Sequence, residues 1–76
     1  MIAKLDDART DALFASHVQR SEQPTAELIR AAVSDTVSRL GPARCAEVVA
    51  QEFGEHPDTA LGRMLWARNA IRSAFA

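Results

Sequence analysis

At 76 residues, 47% of them hydrophobic, with a formal net charge of -1, the chain has room for one domain and is too apolar to be disordered. A domain this short buries only about 60% of the surface its unfolded chain exposes, so a helix face, a groove or a dimer seam suits it better than an enclosed catalytic cavity. The balanced charge excludes a global attraction to nucleic acid or anionic membranes, and a single cysteine, Cys45, excludes an internal disulfide framework.

No apolar run approaches the roughly 20 residues that span a bilayer, and Met1–Asp7 lacks the apolar core of a signal peptide. A cytoplasmic protein without a membrane role is expected. Alanine, leucine and arginine, all good helix formers, dominate, and neither an alternating apolar run nor a tight hairpin turn is present. Pro24, Gly41-Pro42, and Gly54 with Pro57 divide the chain into four segments. The expected fold is all-α: one domain over 1–76, a compact bundle of four helices at about 7–19, 25–40, 42–53 and 57–75.

In the first helix Asp6 or Thr10 is the candidate cap. Leu13, Phe14 and Val18 form its apolar side, with Ile2 and Leu5 ahead of it. The second starts at Thr25, a good N-cap behind Pro24. Its Leu28, Ile29, Ala32, Val33, Thr36, Val37 and Leu40 recur at spacings of three and four, the clearest amphipathic pattern in the chain. Gly41 supplies the left-handed residue that ends it. Pro42 suits the first turn of the third helix, which carries Cys45, Val48, Val49 and Phe53 and is expected to end at Gly54. His56 or Pro57 opens the fourth. Ala60, Met64, Ala67, Ile71, Ala74 and Phe75 line its inner face, with Leu61 and Leu65 widening it. Four such stripes must bury one another.

Charge is segregated along the chain. Residues 43–58 hold Arg44 against Glu47, Glu52, Glu55 and Asp58, a local -3; residues 59–76 hold Arg63, Arg68 and Arg72 with no acid, a local +3. Two solvated faces explain this simply, with acids at the start of the fourth helix and arginines at its end complementing its dipole. A polarised surface that a second molecule reads is the sharper alternative.

Val49, Ala50, Gly54, Pro57, Thr59, Arg63, Ala67, Arg68, Ala70 and Arg72 carry a resemblance. Across residues 49–72 the chain resembles the helix-turn-helix of sigma-factor C-terminal regions and related regulators, about a third of its length. Ala50 lets two helices approach, and a left-handed Gly54 permits the turn. The resemblance implies a DNA-binding regulator contacting DNA through Thr59, Arg63, Arg68 and Arg72. The chain departs from it in three ways. Glu55 stands where an apolar residue follows the turn glycine, and Ala60 where a valine or isoleucine plugs into the core. Leu61, Gly62 and Leu65 occupy outward positions that should hydrogen-bond to bases.

At about 100° per residue, Trp66 points nearly opposite Met64 and Ile71. It is either core, covered by the first helix or the N-terminal arm, or an exposed anchor. The leading expectation is an interaction module that binds a protein partner, or forms a homodimer, through the C-terminal helix. Trp66 would be the anchor with Arg63 and Asn69 around it, and Leu61 and Leu65 would extend the contact. No catalytic, cofactor or metal role is expected. Cys45 shares a face with Val48 and Val49 and reads as a small buried hydrophobe. His17, His56 and Cys45 lack metal-ligand spacing, Asp6, Asp7 and Asp11 read as capping acids, and no glycine-rich phosphate loop or small-molecule site is indicated.

Overall fold

The computed structural model describes residues 4–76, so Ile2 lies outside the described residues. Helix α1 spans Lys4–Ala15, α2 spans Ala26–Glu55 and α3 spans Pro57–Ala74, with a short 3-10 turn at Arg20–Glu22 and no strand among the described residues. The all-α expectation holds. The expected count of four does not, because the second and third helices join into α2.

The junction is Gly41. Its φ of 79° and ψ of 158° lie where essentially only glycine goes, so the chain changes direction there without ending its helical hydrogen bonding for long. A straight helix of 30 residues would be about 45 Å long. The molecule measures 30 × 28 × 25 Å, so the two limbs of α2 must be bent against each other. Gly41 thus does the directional work expected of a helix stop.

Thr25 caps α2 as expected: its hydroxyl accepts from the Leu28 amide at 3.1 Å. Ile29, Val33 and Thr36 are buried, and Ala32, Val37 and Leu40 pack beside them. Leu28 is the exception; it lies at the first turn, off the contact line, and is exposed. On the second limb Cys45 is fully buried, Val48 and Val49 are half-buried, and the Phe53 ring stacks on Phe14 at 6.3 Å.

Helix α1 starts earlier and ends earlier than expected. Asp6 and Thr10 lie inside it, and the Thr10 hydroxyl donates back to the Asp6 carbonyl at 2.7 Å, so neither caps it. Ala12, Leu13 and Phe14 are all buried in succession. Three consecutive helical residues sweep about 200°, so α1 must be covered on two sides, and both α2 and α3 pack on it. Leu5 sits beyond that cover and is exposed. Val18 follows the helix, half-buried over the same core.

Gly54 stays helical and is not left-handed. The turn falls at His56 (φ -138°, ψ 64°), whose amide donates to Glu52 and whose carbonyl accepts from Ala60. Pro57, which lacks an amide hydrogen, fits the first position of α3. The expected inner face of α3 is observed in its centre, with Ala60, Ala67, Ile71 and Ala74 buried and Met64 and Phe75 half-buried, but Leu61 and Leu65, expected to widen it, turn away from the core and are exposed.

Candidate functional site

Helix α3 presents two opposed faces. The small inner residues let its backbone lie close to α1 and α2. On the outer side Asp58, Leu61, Leu65, Arg68 and Arg72 are all exposed. Their spacings of three and four place them in one stripe along the helix. Leu61 and Leu65, at its centre, keep 52% and 53% of their surface in water. Two exposed leucines one turn apart make a small continuous apolar patch on a helix whose opposite side is core, a surface that a second molecule could cover.

The arginines divide into two kinds. Arg63 Nε donates to the Phe14 carbonyl at 2.9 Å, and Nη2 donates to those of Leu13 and Ser16 at 3.3 and 3.0 Å. These carbonyls lie at and just past the end of α1, where intrahelical donors run out. That of Leu13 also accepts from the Ser16 amide and hydroxyl, while no other donor reaches those of Phe14 and Ser16 within the described residues. The guanidinium lies 5.6 Å from the Phe14 ring centre and 5.2 Å from that of Trp66. Burial lowers its pKa from the ordinary arginine value, with Glu52 opposing the shift. Arg63 therefore closes α1 and has only Nη1 uncommitted, which is a poor basis for the rim or phosphate contact expected of it. Arg68 and Arg72 are exposed and make no ion pair within the described residues.

Trp66 is half-buried and packs against the core cluster, held beside Arg63. It lies between the two alternatives that the sequence left open and is not a free anchor. It forms the wall between two shallow depressions. One is bounded by Gln23, Pro24 and Ile29, the other by Gly62, Leu65 and Asn69, and Arg20 borders both. Of the expected contact residues, the structure brings Leu61, Leu65 and Asn69 to the surface and draws Arg63 and Trp66 inward.

No family model matches the chain, and comparison with curated proteins and with solved structures gives no match. Function rests on the side chains themselves.

Cys45 has no exposed surface, and its thiol pKa is raised by burial and by Asp11, with Arg39 opposing. A buried thiol held protonated is a weak nucleophile. Among the described residues no group of histidine, cysteine and acid side chains is arranged to hold a metal ion. No described helix is long and apolar enough to cross a membrane. A shallow depression joins Asp7, Asp11, Phe53 and Arg68. There the Asp11 pKa is raised by burial and by Asp7.

Sequence reasoning missed the part of Arg63 and that of Arg30, whose Nη1 donates to the Ala74 carbonyl at 2.8 Å and closes the end of α3. It also missed Arg9, stacked 3.9 Å over the Phe75 ring. These arginines act on chain segments far away in sequence, so no local pattern announces them. The sequence places Asp58 in the acidic segment ahead of α3, and the helical period puts it in register with Leu61 and Leu65.

Proposed function

We propose that this chain is a small helical interaction module that binds a protein surface through the outward stripe of α3. The observation that carries the reading is the exposure of Leu61 and Leu65, one turn apart, on a helix already anchored by its other face. Covering the exposed half of each leucine contributes about 1 kcal/mol per residue, given about 1.5–3 kcal/mol for burying a whole side chain. Two leucines alone would support only weak contact, so the flanking charges must set the specificity.

A photo-crosslinking amino acid placed at Leu65 or, as a control, at the exposed Ser34 of α2 tests this in lysate of the native host. Specific adducts from position 65 and none from 34 are expected. Equal adduct patterns from the two positions would remove the reading.

DNA binding through Thr59, Arg68 and Arg72, all exposed, is the alternative. Arg63 is committed to α1, Gly54 does not make the left-handed turn, and the exposed centre of α3 is two leucines rather than base-reading side chains. The acids Glu47, Glu52 and Glu55 on the preceding limb would repel phosphates. Retention on a duplex at low salt that falls steeply as salt is added would revive it.

A further inference from the structure

The α3 stripe is self-complementary. Taken from residue 63 as midpoint, Leu61 and Leu65 lie two positions either side, and Asp58 and Arg68 lie five positions either side. Inverting the helix about that midpoint lays leucine on leucine and aspartate on arginine, with the charge pairs about 7.5 Å from the axis. All these residues are exposed. Asp58 and Arg68 form no ion pair within the described residues.

We infer that a second copy of this chain docks on the stripe, with the two α3 helices antiparallel about a two-fold axis between Leu61 and Leu65. This rests on reading the stripe as the contact surface. Under a two-fold, every contact occurs twice, so one Asp58–Arg68 complementarity becomes two. Helix dipoles explain an acid at the start of α3 and arginines near its end. They do not explain why those charges share one stripe with both exposed leucines. Gly62 fits the same picture. It is a helix-weakening residue beside the leucines, and nothing beyond its own stretch of helix comes within 4 Å of where its Cβ would be. Open space there permits close approach of a second helix. A seam confined to one helix of 18 residues is smaller than the roughly 800 Å² per partner of a standard interface, so a weak, reversible dimer is expected.

Sedimentation equilibrium across the micromolar to millimolar range is the test, with circular dichroism confirming that each variant is folded. The wild-type chain should self-associate, and Leu65→Asp should abolish it. Asp58→Arg and Arg68→Glu should each weaken it about tenfold or more, because two like-charge contacts replace two complementary ones. Mixing these two variants should restore association as a heterodimer, since one contact is then the original Asp58–Arg68 pair and the other joins the two substituted positions with their signs exchanged.

A chain monomeric throughout would overturn the second copy as occupant, while the stripe itself would still be judged by crosslinking from Leu65. A dimer indifferent to Leu65→Asp would overturn both, placing the seam elsewhere. A dimer sensitive to Leu65→Asp, but whose charge variants do not rescue each other, would keep the stripe and overturn the antiparallel register.

Discussion

None of the three described helices ends on a glycine cap, and a distant arginine closes two of them, α1 and α3. At the end of α1, Arg63 is half-buried, held between the Phe14 and Trp66 rings, and hydrogen-bonded to three carbonyls. At the end of α3, Arg30 is exposed and donates to one carbonyl, that of Ala74. The task is the same, but what its loss removes differs. Losing Arg30 removes one bond at an exposed side chain, whereas losing Arg63 removes three bonds and the packing of a half-buried guanidinium on two rings. The worth of a charged cap is thus set by its bonds together with the packing lost with it.

The largest expected effect follows from that difference. Arg63→Ala should cost about 2–4 kcal/mol, combining acceptors left poorly satisfied with lost packing on two rings. A domain of this length has only about 4–11 kcal/mol in all, so the loss should be plain in urea or thermal unfolding. Arg63→Lys should recover little, because an ammonium cannot span three carbonyls as a planar fork does. A loss below about 0.5 kcal/mol would place the two caps in the same class. Gly41→Ala sharpens the contrast with a stop that depends only on its own backbone. No group beyond the local backbone lies within 4 Å of the added methyl, so the expected loss of about 1–3 kcal/mol is conformational strain.

The same contrast decides what could be read from the sequence. Thr25 and Gly41 act on neighbouring backbone, and both were legible: the cap bond is present, and the left-handed glycine redirects the chain. The inner face of α3 was legible because burial follows the helical period. Gly54 misled, because a glycine permits a turn without requiring one, and His56 takes the break instead. Arg63 looked like surface charge because its acceptors lie nearly 50 residues away in the chain. For the same reason Trp66 looked more available than it is. The contact stripe was half legible: Leu61 and Leu65 stood out, but the inner face of α3 was expected to take them in.

Arg30→Ala should cost less, about 0.5–1 kcal/mol, because it removes one hydrogen bond to one carbonyl and no ring packing. A double-mutant cycle between Arg30→Ala and Arg63→Ala should be additive, since the two caps share no acceptor.

The smallest effect belongs to a charge that is partly buried without such provision. Asp11 lies beside Asp7, and no hydrogen bond or ion pair within the described residues compensates its carboxylate. Burial first, and Asp7 second, raise its pKa above the ordinary value in the folded state. The folded chain therefore holds the proton more tightly than the unfolded one. Stability falls as pH rises from the ordinary aspartate range through the raised folded value. Asp11→Asn should remove that decline and leave the protein slightly more stable than wild type at neutral pH, with the two converging in acid. Urea midpoints measured from acid to neutral pH read this directly. A variant less stable than wild type at neutral pH would mean that the carboxylate is compensated, and that Arg68 across the same depression supplies the compensation.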